Sequence, residues 1–479
     1  MVLDLLSKII SVGNTIIWSY VLIALLIILG LFFTFRTGFV QFRLFKEMFR
    51  LLTEGASTRN KDKKTVSSFQ AFCISTASRV GTGNLAGVAI AIASGGPGAV
   101  FWMWLIALIG AGSSFIESTL AQIYKVEDGD SYRGGPAYYM AKGLNAKWMG
   151  VIFSVLITLS FGFVFNAVQS NTITLAFANA FALDRSILGY VLVVLTGLII
   201  FGGVHRVAKA TEIIVPIMAI AYVLIALFVV LKNISLLPSI FSLIFKDAFG
   251  IQSVMGGTLG SVISMGIKRG LFSNEAGMGS APNAAATAEV THPVKQGLIQ
   301  TLGVFTDTLL ICSATAFMIL ISGVYTSSGT GIELTQNALS SQVGSWGNTF
   351  IAICIFLFAF SSIIGNYYYG ETNIEFISSN KLFLTIYRFL VLGMVLFGAT
   401  SEIKIVWDMA DLFMGLMAII NLIAITLLHK QAILALKDYV RQKKTGAEPV
   451  FSTDCIPGLE NAECWQPVSE SDHAISSMH

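Results

Sequence analysis

From Ile10 to Phe33 the chain runs without one charged side chain, and comparable stretches recur along its length. Such runs leave few folds open. About 20 consecutive apolar residues match the ~30 Å hydrocarbon core of a bilayer, and a backbone placed there must satisfy its N–H and C=O groups within its own segment. The long continuous runs therefore dictate helices rather than a barrel. Composition agrees: 55% of the 479 residues are hydrophobic and only 12% charged, against about 25% charged in soluble domains.

On this ruler eleven spans are expected: 10–33, 67–93, 97–122, 149–181, 186–203, 210–231, 251–270 running on through a break to about 288, 297–322, 346–370, 382–400 and 404–428. The first is too long for a signal peptide and is followed by a basic segment, so it reads as a retained helix. That segment holds Arg36, Arg43, Lys46, Arg50, Arg59, Lys61, Lys63 and Lys64. The positive-inside rule makes it cytoplasmic and puts the N-terminus outside. Later inner loops hold Lys125, Arg133, Lys142 and Lys147, then Arg206 and Lys209; outer loops hold isolated Arg185, Lys232, Lys246 and Lys404. After eleven crossings the tail is inside, in agreement with Lys430, Lys437, Arg441, Lys443 and Lys444. The tail beyond Lys444 is polar and expected to be flexible, and the sequence assigns it no function.

The chain does not read as an enzyme. Its five histidines (His205, His292, His429, His473 and His479) form no metal pair or nucleophile elbow. Cys73, Cys312, Cys354, Cys455 and Cys464 show no metal spacing and read as reduced thiols. Nothing points to nucleic acid, and the oligomeric state is not legible.

The informative feature is a pair of interruptions. Arg79-Val-Gly-Thr-Gly-Asn84-Leu-Ala86-Gly87 and Arg269-Gly-Leu-Phe-Ser-Asn274-Glu-Ala276-Gly277 share R-x4-N-x-A-G after a shift of 190 residues, from 79 to 269. The same shift carries 149–181 and 210–231 close to later spans. Five helices repeated after an odd number of crossings enter from opposite sides, so the repeat is inverted. Matched interruptions in an inverted repeat point to the midplane site of a secondary transporter. Glycine lets a helix unwind and a ligand approach the backbone, and unwound peptide groups are tolerated at that depth only where they line a cavity or bind something. Small residues also permit close helix packing, but packing alone does not require Thr82 and Asn84 beside the glycines.

These residues resemble the alanine/glycine:cation symporters, the sodium:alanine symporter family. The resemblance covers nearly the whole chain and rests on "GTGNLAGVAIAI", "GGPGAVFWMW", "SYRGGPAYYM", "KRGLFSNEAGMGSAPNAAA" and "HPVKQGLIQTLGVFTDTLLICSATAF". It implies an all-α, leucine-transporter-type fold: one extra N-terminal helix, then a five-plus-five inverted repeat with two broken helices. The expected divisions are 1–66 (extra helix and basic segment), 67–231 (first repeat), 232–250 (external connection), 251–428 (second repeat) and 429–479 (cytoplasmic tail). Breaks are expected at 78–87 and 269–279, with a small neutral amino acid and a co-transported sodium ion between them.

For the amino acid, the half-helix starting near Asn84 turns its free N–H groups and positive end toward the break, which suits a carboxylate; Thr82, Gly83 and Asn84 take that role. The half-helix ending near Phe272 offers carbonyls to the ammonium, with Ser273, Asn274 and Gly277 forming the second break. The resemblance places Gln169 facing the substrate, its alternative being a hydrogen bond between helices. For sodium, a hard cation, the carbonyls of Ala77 and Val80 are free at a helix end. The resemblance adds the hydroxyls of Ser361 and Ser362, although serines in such helices also bond the preceding turn. Among intramembrane charges Arg79, Glu117, Lys268, Arg269, Glu275 and Asp307, Glu275 and Glu117 are expected to neutralise Arg79, Lys268 or Arg269, as an inner gate or as a fixed scaffold.

One departure bears on substrate. Where alanine- and glycine-transporting members carry tryptophan in G-W-x-Y-Y-G-E, this chain has Gly365-Asn366-Tyr367-Tyr368-Tyr369-Gly370-Glu371. An amide in place of an indole adds room and a hydrogen-bonding partner, so glutamine competes with alanine and glycine as the substrate. Proton coupling through Glu117, Glu275 or Asp307 stays open beside sodium, as, less strongly, does a channel.

Overall fold

The computed structural model describes residues 2–54, 65–129, 131–250, 258–326 and 329–465. It is almost wholly helical. Helix α1 (Val2–Ile16) continues through a π-helical turn (Ile17–Val21) into α2 (Leu22–Arg36) as a single rod, after which left-handed Gly38 and Phe39 turn the chain into two short helices, α3 (Val40–Arg43) and α4 (Phe45–Leu52). Of the basic segment, Arg59, Lys61, Lys63 and Lys64 lie outside the described residues.

The next span is not continuous. Ser67 starts α5 (Ser68–Arg79) with a reciprocal cap in which its hydroxyl accepts from Gln70 N–H at 3.1 Å and its own N–H donates to Gln70 Oε1 at 3.0 Å. A π-helical turn (Gly83–Gly87) then leads into α6 (Val88–Gly95), and α7 (Ala99–Ile123) crosses back. A two-stranded antiparallel ribbon, β1 (Val126–Asp128) and β2 (Ser131–Arg133), precedes α8 (Pro136–Gly143). The long rod of α9 (Lys147–Ile157), a π-helical turn (Thr158–Phe165) and α10 (Asn166–Phe181) follows, then α11 (Arg185–Ile200) and α12 (Gly203–Lys232). The connection expected as a plain external link contains α13 (Leu237–Ala248), which Asp247 fastens by accepting from Gly98 N–H at 2.7 Å.

The second half opens with α14 (Leu259–Asn274) and the short α15 (Ala281–Ala285). Next come α16 (Pro293–Phe305), a π-helical turn (Thr306–Cys312) and α17 (Ser313–Ser322), then α18 (Gly331–Val343), α19 (Trp346–Ile377), α20 (Lys381–Thr400) and α21 (Ile403–Lys444). Among the described residues eight helices are long and apolar enough to cross a bilayer, with Gly83–Gly95 and Arg185–Ile200 apolar but shorter. The shortfall from eleven has local causes. The segments around 80 and 275 are broken, residues 251–257 of the expected seventh span lie outside the description, and α11 has 16 residues. Outward faces of the bundle carry Ile187, Leu224 and Phe389, each more than half exposed, where a lipid solvent replaces water.

One expectation needs correction. Helix α21 continues past 428, the expected end of the last span, to Lys444, and the tail is docked rather than loose as far as residue 465. Phe451 N–H donates to Thr291 C=O at 2.9 Å, Trp465 Nε1 to Gln122 C=O at 2.9 Å, and Asn461 Nδ2 to Lys142 C=O at 3.2 Å, while Glu448 pairs with Lys295 and Glu463 with Lys142. A polar segment binds here because the neighbouring chain ends and turns offer it unpaired carbonyls and cations.

Candidate functional site

Helix α5 halts at Arg79 because Val80 takes an extended conformation (φ −81°, ψ 90°), and winding resumes at Gly83. The residues between need partners for their peptide groups. Asn84 Oδ1 accepts from Gly81 N–H at 2.9 Å, and Gln169 Oε1 on α10 accepts from Thr82 N–H at 3.0 Å and from the Thr82 hydroxyl. On the acceptor side, the Ser362 hydroxyl of α19 lies 2.8 Å from Ala77 C=O and 3.5 Å from Val80 C=O. Ala77, Val80 and Ser362 thus converge as expected. Ser361 does not join them. Adjacent residues on a helix of 3.6 per turn face different directions, and its hydroxyl bonds Phe358 C=O at 2.8 Å beside Met218 Sδ at 3.7 Å.

Helix α14 runs past Phe272 to Asn274 and ends where Glu275 turns left-handed (φ 57°). Its last ladder bond runs from Glu275 N–H to Leu271 C=O at 3.0 Å, and Ala276 N–H turns to Asn274 Oδ1 at 3.0 Å, so the helix leaves its carbonyls free from Phe272 onward; the unwound stretch itself starts at Glu275, further along than the overlay of the two motifs expects. From Glu275 to Ser280 the chain is unwound. Gly277 and Gly279 adopt φ of 81° and 87°, conformations suited to glycine. Their N–H groups donate to Glu117 Oε1 and Oε2, both at 3.1 Å. Asn421 of α21 completes the clasp, donating to Glu117 Oε2 at 2.7 Å and to Gly277 C=O at 3.0 Å.

The expected charge pairing is overturned for Lys268 and Arg269; Arg79 remains a charged neighbour of Glu117 and Glu275 without an ion pair to either among the described residues. Glu117 serves backbone donors, and Glu275 accepts from Ser78 Oγ at 2.8 Å and Ser280 Oγ at 2.6 Å. Arg79 donates to Gln300 C=O at 3.1 Å, with Nε and Nη2 lacking an acceptor. Arg269 instead grips both oxygens of Asp411 on α21, and Lys268 lies 3.4 Å from the same carboxylate. A cation this deeply buried requires a paired, hydrogen-bonded anion, and Asp411 supplies it. The pair stands on the Leu259 side of the second break, with Glu117 on the Ser280 side.

The two breaks touch. A methyl group at Gly83 would sit 3.0 Å from Phe272 Cδ1 and 3.1 Å from Ser273 Cα. The π-helical turn at Thr306–Cys312 lies against both. Asn84 Nδ2 donates to Asp307 Oδ1 at 2.6 Å, Ser273 Oγ lies 3.2 Å from Cys312 Sγ, and Asn274 Nδ2 donates to Thr308 Oγ1 at 3.3 Å. Aromatic rings cover the Arg269 side: Phe272 stands 4.6 Å from Phe165 and 4.7 Å from Trp407, whose ring lies 4.7 Å from the Arg269 guanidinium. Asn366, one turn beyond Ser362, stands with its amide 2.7 Å from Ser78 Oγ, the hydroxyl whose single proton Glu275 Oε1 also draws on at 2.8 Å; the other end of the amide is buried with no partner among the described residues. A buried amide group left unpaired costs about 1–3 kcal/mol, so this position offers a hydrogen bond that the protein does not use.

Thr82, Gly83, Asn84, Gln169, Phe272, Ser273 and Asn274 thus cluster where the broken helices meet, with Asn366 joined to them through Ser78. Gly277 belongs to the Glu117 clasp on the far side of Glu275. Sequence reasoning missed Ser78, Asp411 and Asn421, and named Asp307 without a partner. Asp411 carried a usable signal, since an acid inside an apolar span demands a cation.

The sequence profile of the sodium:alanine symporter family matches residues 3–453. The chain is 58% identical to a probable sodium/glutamine symporter, GlnT, of Bacillus subtilis, over 98% of each chain. It is also 58% identical to the amino-acid carrier protein AlsT of that organism, over 96% of this chain and 98% of the relative. Identity to a sodium/proton-dependent alanine carrier protein of Bacillus sp. strain PS3 is 39%, over 88% of this chain and 97% of the relative. Among solved structures, MhsT in complex with L-phenylalanine superposes with a TM-score of 0.52 at 13% identity, covering 78% of this chain and 96% of that one. This likeness shows a shared, leucine-transporter-type fold. With the family profile spanning nearly all of its length, the chain is a multi-pass membrane transporter and belongs to the sodium:alanine symporter family.

Proposed function

We propose that the protein carries glutamine, with alanine-sized neutral amino acids as weaker substrates, into the cell together with sodium by alternating access. The observation that carries this reading is the unpaired Asn366 amide beside the two breaks, at the position where the alanine/glycine pattern has tryptophan. A side-chain carboxamide, with both a donor and an acceptor, supplies the partner that the free end of the Asn366 amide lacks. The 58% identical relative named for sodium and glutamine supports the same choice.

In this scheme Thr82, Gly83 and Asn84 receive the substrate carboxylate at the positive end of the Gly83–Gly95 half-helix. The ammonium lies toward Ser273, Asn274 and Gln169. Sodium takes the carbonyls of Ala77 and Val80 and the Ser362 hydroxyl, whose three oxygens already converge. One sodium ion falling through 100 mV and a tenfold gradient sustains roughly 500-fold accumulation of a neutral solute.

The chain crosses the cell membrane eleven times, N-terminus outside and C-terminus in the cytoplasm. An extra helix (1–66) precedes inverted repeats at 67–231 and 251–428, the link 232–250 is external, and 429–479 is cytoplasmic. On that orientation Arg269, Asp411, Phe272 and Trp407 form the outer barrier, and Glu275, Ser78, Glu117 and Asn421 the inner one. A second reading, proton coupling, is favoured by Asp307, a buried carboxylate that accepts from Asn84 at 2.6 Å and Thr308 at 2.9 Å beside the first break.

Counterflow in proteoliposomes tests both. Labelled glutamine should exchange with glutamine faster than with alanine or glycine and should require sodium. Glutamine that fails to exchange removes the substrate reading. Uptake driven by a pH gradient alone, without sodium, replaces sodium coupling with proton coupling.

A further inference from the structure

The cytoplasmic end of the first helix and the extended last helix enclose a pocket of about 580 Å³ that the transport scheme does not use. Among the described residues five cations line it, Arg36, Arg43, Lys437, Arg441 and Lys444, and no acidic side chain does. The nearby carboxylates are already engaged. Asp438 pairs with Arg441 and His292 and accepts from Gln442, while Glu47 pairs with Arg50 and Lys443 and accepts from Tyr439 at 2.6 Å. Burial raises the Glu47 carboxyl, but the hydrogen bonds from Arg50, Tyr439 and Lys443 outweigh it and hold the group down at about 2. Arg36, Lys437 and Lys444 make no ion pair or side-chain hydrogen bond among the described residues.

The pocket is not purely polar. Phe35, Ile433 and Val440 share its wall. Its depth is set by the helices that form it: α2 ends its apolar run at Arg36, and Phe32 packs on His429 with ring centroids 5.1 Å apart, so the cations begin where the hydrocarbon ends. Along the same linker Phe39, Phe42, Phe45 and Phe49 are all exposed, as expected of a chain lying in the interface with its rings toward acyl chains. Unopposed cations at headgroup level, with apolar surface directly beside them, match a molecule carrying a phosphate on two acyl chains. A soluble anion would leave that apolar wall uncovered.

We propose that this pocket binds the headgroup of an anionic phospholipid of the cytoplasmic leaflet, whose phosphate bridges the end of α2 to the cytoplasmic half of α21. Basic pockets between helices on that side are suited to such headgroups. The bridge ties the extra N-terminal helix to the last helix across a contact that otherwise brings five like charges together.

Native mass spectrometry of the full-length protein in detergent, titrated with phosphatidylglycerol or with phosphatidylcholine of the same acyl chains, tests this. One phosphatidylglycerol should stay bound under activation that strips phosphatidylcholine. The neutral variant R36Q/K437Q/K444Q should bind it at least tenfold more weakly, and R36K/K437R/K444R should bind it like the parent. The three positions have no internal partner to lose, and equal thermal midpoints of parent and variants in lipid-free detergent verify the fold. Equal retention of both lipids, or undiminished binding by the neutral variant, overturns the proposal. Displacement of the lipid by millimolar inorganic phosphate overturns it in favour of a soluble-anion site.

Discussion

At the first break the unwound residues find partners in Asn84, Gln169 and Ser362, all uncharged. At the second, Gly277 and Gly279 share the carboxylate of Glu117, itself held by Asn421. The two solutions differ in strength. A neutral hydrogen bond contributes about 0.5–1.5 kcal/mol net and one to a charged group about 1.5–3 kcal/mol. Neutral partners can be exchanged for a ligand's groups at small cost. A carboxylate clasped by three donors fixes the backbone in one shape. The first break is built to hand over its peptide groups, the second to keep its form while neighbouring groups do the binding.

The sharpest way to break this comparison is Glu117→Ala. It orphans the two glycine N–H groups and one of the two N–H bonds of the Asn421 amide, at about 1–3 kcal/mol each. Uptake in proteoliposomes should fall at least a hundredfold and the thermal midpoint in detergent should drop. Glu117→Gln, which keeps one carbonyl acceptor, should fall between it and the parent. A freely transporting Glu117→Ala protein would show that the second break needs no clasp.

Next comes Ser362→Ala. Loss of one oxygen to a cation, worth about 1.5–3 kcal/mol, should raise the half-saturating sodium concentration roughly tenfold to a hundredfold, read from uptake against sodium at fixed glutamine. Asn366→Ala should weaken glutamine by about fivefold, one neutral hydrogen bond, and leave alanine uptake unchanged; an equal loss for both substrates would place the amide outside the site. Smallest of all, Ser361→Ala should alter sodium dependence less than about twofold: both serine hydroxyls bond Phe358 C=O within the helix, but only that of Ser362 also reaches the carbonyls of Ala77 and Val80. If both serine variants behaved alike, the convergence on Ala77 and Val80 would not be the ion's site.

The difference between the breaks also explains which parts were legible in the sequence. The first could be read because its causes are local: glycines and a capping asparagine lie within five residues of the unwound stretch, and Gln169 is conspicuous in an apolar span. The clasp at the second break was illegible because it depends on where a distant carboxylate can receive two N–H groups, and Glu117 lies 160 residues from Gly277. The charge pairs failed for the same reason. Arg269 and Asp411 are 142 residues apart, and only packing of α14 against α21 brings them together. The docked tail was illegible because its composition is that of a solvated segment, while its contacts are backbone carbonyls that leave no mark in a sequence.

Helix α21 has 42 residues, a rod of about 63 Å, roughly twice the thickness of the hydrocarbon it traverses. Asp411 and Asn421 hold opposite flanks of the second break. A rocking of about 5° around the membrane-embedded part displaces the tip at Lys444 by roughly 3 Å. The helix is thus a lever anchored on the break, and a spin label near that tip, measured against α12, which takes no part in the basic pocket, would register a movement of the break at magnified scale.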